Sequence, residues 1–265
     1  PSVYHVPFPY CFRCPHRTGP DCCDEPFVSL DRLFRHVVAP DEVAAMIVEP
    51  ILGEGGYVVP PDEFLPRLRA LCDRHNILLI FDEIQTGFGR TGAMFAAQTF
   101  GVTPDVLVLS KSIASGFPLS AVAAAPGLMR RWAAEAHGTT FGGNPVACAA
   151  AVATMEVFRE ERVLDNVRER SQEAFGRLRA LAERSPIIGD LRGRGLMIGL
   201  EFVDPRTGAP DGAVVQRILE RCLERGLLLY AAGYAGHVLR FIPPLNVTAA
   251  ELAAGLDILE GVVTT

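Results

Sequence analysis

Three short apolar runs, each ending at residues that can ionise, constrain the fold of this chain more than any other feature. Ala44-Ala45-Met46-Ile47-Val48 stops at Glu49-Pro50, Ile77-Leu78-Leu79-Ile80-Phe81 stops at Asp82-Glu83, and Val106-Leu107-Val108-Leu109 stops at Ser110-Lys111. Short runs that are apolar without alternation read as strands covered by helices on both faces, the pattern of a mostly parallel sheet. Between the first two runs, Pro61-Asp62-Glu63 opens a helix that carries Phe64, Leu65, Leu68, Leu71 and Cys72 at helical spacing. Sheets of this kind bind ligands at the carboxyl ends of their strands. The spacing therefore predicts that Glu49, Asp82 and Lys111 point towards one rim.

Lys111 stands out chemically as well. The chain has 25 basic residues, and Lys111 is the single lysine among arginines. Guanidinium stays protonated at any accessible pH, whereas a desolvated amine can lose its proton and attack a carbonyl to form a Schiff base. A strong arginine bias could also leave one lysine on the surface with no such role. The combination with an acid at the neighbouring strand end favours the chemical reading. A lysine bonded to pyridoxal phosphate needs an anion near the ring nitrogen, because the protonated ring is the electron sink. Asp82 is the natural candidate.

Composition narrows the class. With 265 residues, 49% hydrophobic and 21% charged, the chain can bury a large core. A net charge of −6 without a basic run argues against nucleic acid as a partner. No apolar stretch reaches the roughly 18 to 20 residues that cross a bilayer, and no signal-peptide pattern opens the chain, so no membrane is expected and the expected location is the cytoplasm. Cys11, Cys14, Cys22 and Cys23 form a cluster with some likeness to a zinc site. Adjacent cysteines are awkward tetrahedral ligands, and reduced loop cysteines, with no metal, are the preferred reading. Val3 to Pro26 reads as a loop rich in Pro and Cys, and a start at Pro1 suggests that sequence upstream is missing.

Further along, helices are expected over Val146–Phe158 and, as a solvated amphipathic helix, over Glu160–Arg184. Strands are expected at Leu196–Phe202, Leu227–Tyr230 and Val238–Ile242, with helices at Ala213–Arg225 and from Thr248 onward. The expected organisation is a partial large domain over residues 1–158 and a small α/β domain over residues 159–265.

Longer stretches carry a family resemblance. Phe81-Asp82-Glu83-Ile84-Gln85-Thr86-Gly87-Phe88-Gly89-Arg90-Thr91-Gly92 and Leu109-Ser110-Lys111-Ser112-Ile113-Ala114-Ser115-Gly116-Phe117-Pro118-Leu119 resemble the signature of class III pyridoxal-phosphate aminotransferases of fold type I. Glu49-Pro50-Ile51-Leu52-Gly53-Glu54-Gly55-Gly56, Gly138-Thr139-Thr140-Phe141-Gly142-Gly143-Asn144-Pro145, Arg192-Gly193-Arg194-Gly195 and Leu239-Arg240-Phe241-Ile242-Pro243-Pro244 agree with it. The likeness covers essentially the whole chain and is nearest the 4-aminobutyrate and ornithine-type branch.

The resemblance implies a role for each group. Lys111 would hold the cofactor as a Schiff base and later carry the proton. Asp82 would pair with the pyridinium nitrogen, Gln85 would bond the phenolic oxygen, and Ile84 would pack on the ring. Thr140 and its glycine-rich loop would offer donors to the phosphate of a neighbouring subunit, so the site would be shared in a homodimer. Arg240 would hold a substrate carboxylate in two parallel hydrogen bonds, with Glu54 covering it when an ω-amino substrate is bound. Glu49 is a further acidic neighbour.

The implied reaction is ping-pong amino transfer from an ω-amino acid resembling 4-aminobutyrate to 2-oxoglutarate or pyruvate. The same scaffold also supports racemisation, aminomutation or decarboxylation of dialkylglycine. The family's glycine-rich phosphate cup and ring-stacking aromatic precede this region and match nothing in the sequence. These 265 residues alone are therefore expected to bind the cofactor poorly and turn over little, or to serve as a catalytically silent dimerisation module.

Overall fold

The computed structural model describes residues 2–15 and 24–264. A short 3-10 turn spans Cys11–Arg13, and helix α1 (Glu25–His36) begins within the stretch whose Pro- and Cys-rich composition reads as loop. Pro26 sits in its first turn, where the missing N–H is no loss, and Leu30 is buried beneath it. Strand β1 (Ala45–Val48), helix α2 (Phe64–His75) and strand β2 (Leu78–Asp82) follow. Helix α2 buries Phe64, Leu65, Leu68 and Cys72 and ends at Asn76, whose left-handed backbone (φ 54°) turns the chain into β2. Helix α3 (Ala96–Phe100), strand β3 (Val106–Leu109), strand β4 (Ala121–Ala124) and the one-turn helix α4 (Pro126–Met129) complete this part.

The first sheet has the order β1-β2-β3-β4, with β1, β2 and β3 parallel and β4 antiparallel. Asp105 ties β2 and β3 together at their starting ends: one carboxylate oxygen accepts from Leu79 N at 2.7 Å and from Arg69 of α2 at 2.7 Å. The two faces of this sheet are covered unequally among the described residues. Leu79, Phe81, Met46, Val48 and Leu107 pack with α2 and with Leu30, whereas Ile47 is 65% exposed and Val122 46% exposed on the other side. Apolar runs report that a strand can be covered on both sides, and only the packing shows what lies there.

Helices α5 (Pro145–Glu160) and α6 (Val163–Arg184) lead to strands β5 (Ile188–Arg194) and β6 (Met197–Phe202), helix α7 (Gly212–Glu224), strands β7 (Tyr230–Ala232) and β8 (Val238–Phe241), and helix α8 (Ala249–Val263). The second sheet is antiparallel throughout, in the order β5-β6-β8-β7. Every residue of β6 is buried, and Val167, Leu178 and Leu181 of α6 pack in the same cluster as Leu252, Leu256 and Leu259 of α8. Helix α8 starts at Thr248 with reciprocal capping: Thr248 Oγ1 accepts from Glu251 N, and Glu251 accepts from Thr248 N.

Two strand expectations shift. β5 was not foreseen, because Gly189, Asp190, Arg192, Gly193 and Arg194 give it no apolar alternation. β7 begins at Tyr230 rather than Leu227, since Leu227 N bonds back to Cys222 O and so closes the end of α7. Gly195 joins β5 to β6 with φ +57°, and a side chain there would collide with the backbone of Arg90 to Gly92. Leu196 N also donates to Arg90 O at 3.0 Å, so the loop after β2 is stitched to the second sheet.

Truncating the fully buried Leu178 should therefore be felt throughout the second sheet. Leu178→Ala is expected to lower unfolding stability by about 2–5 kcal/mol, read as a lower midpoint in chemical denaturation. Ile47→Ala, on the open face, should cost much less in the same experiment.

Candidate active site

The carboxyl ends of β1, β2 and β3 gather Glu49, Asp82 and Lys111, as the parallel register requires. Glu49 follows β1 directly and accepts from Gly53 N at 2.8 Å, closing a tight loop. Burial pushes its carboxyl above the usual carboxylate range, against the Gly53 N–H; the charge of Asp82 raises it further and that of Lys111 draws it back. Glu49, Asp82 and Lys111 thus share one electrostatic field.

Asp82 is the last residue of β2, and one of its carboxylate oxygens accepts from Ile84 N at 3.0 Å. The next acid behaves differently. Glu83 is fully buried and accepts from Ala96 N at 2.6 Å, Ala97 N at 2.8 Å and Thr86 Oγ1 at 3.1 Å. It binds the first turn of α3 and folds the intervening loop back on itself. Nothing in the pair Asp82-Glu83 distinguishes the two acids in sequence, and the role of Glu83 was missed there.

That loop carries Ile84 and Gln85. The side-chain oxygen of Gln85 is buried and has no hydrogen-bond partner among the described residues. A Cβ at Gly53 would run into it, so the loops after β1 and β2 meet with no room to spare. A buried amide without a partner costs about 1–3 kcal/mol, and a phenolic group of a bound ring would satisfy it.

Lys111 is held in strain. Its φ is +43°, in the left-handed region that disfavours a side chain, and it opens a 3-10 turn at Lys111–Ile113. The preceding Ser110 is fixed by its hydroxyl, which donates to Leu119 O at 3.0 Å. The lysine side chain is exposed at the rim. An exposed amine on a strained turn, a carboxylate on the adjacent strand and an unsatisfied amide are groups that could together hold pyridoxal phosphate.

Arg240 approaches from β8 and pairs with Glu54. Its side chain is 15% exposed, against 73% for that of Glu54, so the pair joins a largely buried cation to an exposed carboxylate. Tyr57 lies buried nearby. Burial pushes its hydroxyl up to about 12, with the charges of Arg240 and Arg90 pulling the other way. Thr140 is not gathered with these groups. It lies in an exposed stretch ahead of α5, which begins with Asn144 Oδ1 accepting from Ala147 N at 2.9 Å.

Two further readings meet the structure here. Cys11 and Cys14 belong to or follow the first 3-10 turn, while Cys22 and Cys23 lie outside the described residues. A cavity of about 1300 Å³ opens beside Asp105 and Leu107 at the opposite end of the strands and contains none of the residues gathered at the rim. No helix among the described residues is long and apolar enough to cross a membrane.

The position of Glu49 gives a pH test. Its folded-state value is raised, so the ionised form is disfavoured by folding and stability is lost as pH rises through that value. Glu49→Gln keeps an acceptor for Gly53 N and removes the charge. Relative to the parent it should gain stability progressively as pH rises from the ordinary carboxylate range through the raised value, measured as unfolding midpoints; a gap that stays constant as pH rises would contradict the assignment.

The sequence matches the class III aminotransferase family over residues 1–263. It is 44% identical over 237 residues to a 5-aminovalerate aminotransferase of Pseudomonas putida and 41% identical over 237 residues to the 4-aminobutyrate aminotransferase of Escherichia coli, covering 89% of this chain and 56% of each relative. An alanine/serine racemase of Pyrococcus horikoshii is 42% identical over 268 residues, with 98% of this chain and 56% of that protein covered. Among solved structures, an amine transaminase from an uncultivated Pseudomonas species in its pyridoxal-phosphate-bound form superposes with a TM-score of 0.86 at 34% identity, covering 98% of this chain and 61% of the other. The chain therefore spans little more than half the length of the relatives it matches, and its two sheets have the fold type I architecture of transaminases. By the family match and these likenesses, the chain belongs to the class III aminotransferases, which are pyridoxal-phosphate enzymes.

Proposed function

We propose that this chain carries the lysine-bearing part of an aminotransferase that moves an amino group from an ω-amino acid resembling 4-aminobutyrate to 2-oxoglutarate or pyruvate in two successive half-reactions. The observation that carries this reading is the meeting of Lys111, Asp82 and Glu49 at one strand rim with the Arg240–Glu54 pair on the adjoining sheet. We assign residues 1–158 to the cofactor-binding part and residues 159–265 to the small domain.

When bound, pyridoxal phosphate supplies an electrophilic carbon and a ring that withdraws electrons from the reacting centre. Lys111 would anchor it, and its amine, once free, would carry a proton from the substrate carbon to the cofactor carbon, which an amine can do and a guanidinium cannot. Asp82 would set its carboxylate against the ring nitrogen, and Gln85 and Ile84 would hold the ring's edge and face. Glu49 would stand beside them as a further acidic neighbour that holds the Gly53 N–H.

Arg240 selects the substrate. With an ω-amino acid in place, Glu54 stays on the guanidinium and neutralises it; with a dicarboxylate, the exposed Glu54 side chain swings out and Arg240 takes the carboxylate in two parallel bonds. One pocket then serves two substrates of different charge. Thr140 acts on the phosphate held by a second copy in a homodimer. Exposed Phe117, Trp132, Phe141, Val146 and Val152 around that stretch support such a contact, and the proposed setting is the cytoplasm.

A second reading, racemisation of a small amino acid, is favoured by the likeness to the alanine/serine racemase. Transfer of labelled nitrogen from 4-aminobutyrate to 2-oxoglutarate by the complete polypeptide separates the two: label in glutamate supports transfer, whereas inversion of alanine without label transfer supports racemisation. Lys111→Arg should lower turnover by about 100-fold or more. Arg240→Lys should raise KM for 2-oxoglutarate about tenfold, as one of two parallel bonds is lost, with the KM for the ω-amino donor changed far less.

A further inference from the structure

Arg192, in the Arg192-Gly193-Arg194-Gly195 motif, has no part in the chemistry described above, yet its surroundings connect it to the substrate-selecting pair. In the antiparallel register Arg192 of β5 lies opposite Gly199 of β6, and Gly199 lies opposite Arg240 of β8. Directly opposed residues share a face of the sheet. The two arginines therefore flank a glycine on one surface, and the loop from Gly53 to Tyr57 lies across it. A Cβ at Gly199 would come within 2.9 Å of Tyr57 Cβ, so the absent side chain is the seat of the loop.

Each arginine grips this loop differently. Arg192 holds its backbone: Nε and Nη2 donate to Gly56 O at 3.0 and 2.6 Å. Arg240 holds the side chain of Glu54. Gly56 itself has φ +115°, and a Cβ there would meet Val238 at 3.2 Å and Arg192 Nη2 at 3.4 Å. The backbone of Glu54 is pinned as well, its carbonyl accepting from Gly233 N at 2.9 Å.

The guanidinium of Arg192 is clamped from behind. Nη1 bonds the fully buried Glu201 at 2.6 Å and Asp190 at 2.7 Å, and Nη2 donates to Tyr10 Oη at 2.8 Å. Arg13 and the hydroxyl of Tyr10 occupy the remaining reach of Glu201. One grip on the loop is thus buried and multiply bonded, while the other ends on an exposed carboxylate.

We propose that Arg192 is a positioning residue that fixes the backbone of the Gly53–Tyr57 loop, so that Glu54 alone moves when substrates alternate and returns to the same place over Arg240. This rests on the two-substrate reading of Glu54 and Arg240. Lysine could keep the charge opposite Glu201 but could not span Gly56 O, Glu201 and Tyr10 with one planar fork. Loss of the fork lets the loop drift, and Glu54 then covers Arg240 less completely.

The test compares half-reactions of the complete holoenzyme, each followed by the change in cofactor absorbance. Arg192→Lys should lower kcat/KM for the ω-amino donor about tenfold relative to that for glutamate, with the glutamate half-reaction little changed. Arg194→Lys, on the same strand but in an exposed pair with Asp62, should leave this ratio alone. Glu54→Gln should shift the ratio by itself, and adding Arg192→Lys to it should shift it no further, a coupling that general destabilisation would not produce.

If Glu54→Gln leaves the ratio unchanged, the two-substrate reading fails. If Glu54→Gln shifts it and folded Arg192→Lys does not, or if the double variant is additive, the positioning role of Arg192 is overturned. Should Arg192→Lys not fold, Tyr10→Phe carries the test, since it removes one bond to the same guanidinium: a smaller shift in the same direction supports the proposal, and an unchanged ratio overturns it.

Discussion

The parallel pairing of β1, β2 and β3 is the constraint from which the site follows. Parallel strands start at one edge and finish at the other, so residues that follow consecutive strands must collect at one rim. Asp105 keeps this pairing in register at the opposite end, tying β2, the start of β3 and Arg69 of α2 with one carboxylate. With that edge fixed, Glu49, Asp82 and Lys111 have nowhere else to go. Their mutual influence appears in the Glu49 carboxyl, which burial and Asp82 raise and Lys111 lowers.

The second sheet supplies a different resource, a flat antiparallel surface on which a loop from the first can rest. Glycines at 56 and 199 let the backbone approach closely, and arginines on either side hold it. Glu201 beneath them is fully buried yet kept ionised, its carboxyl lowered by Tyr10, Arg192 and Arg13 against the opposing effect of burial. Ion pairs of this kind are costly to bury and costlier to break, so they contribute geometry more surely than stability. Here the geometry in question is the seat of the loop that bears Glu54.

Much of this was legible from local pattern. The three strand ends could be read because continuous apolar runs stop abruptly at charged residues, and Lys111 because arginine had displaced every other lysine. The Glu54–Arg240 pair came through the family resemblance, with no local signal joining residues so far apart. Other features left no trace. β5 is too rich in glycine and charge to read as a strand, and α1 follows a Pro- and Cys-rich stretch that reads as loop. Asp82 and Glu83 are chemically alike, and only the fold turns one to the rim and buries the other at the start of α3.

What the sequence by itself determined is the chemistry of the rim, because periodicity and residue type act within a few positions of each other along the chain. What only the tertiary structure decided is how that rim is joined to the second sheet and which face of the first sheet is covered. Arg192 meets Gly56, Glu201 meets Tyr10, and Arg240 meets Glu54 across long separations in sequence. Such contacts depend on where two sheets come to rest against each other, and that is set by packing rather than by any local run of residues.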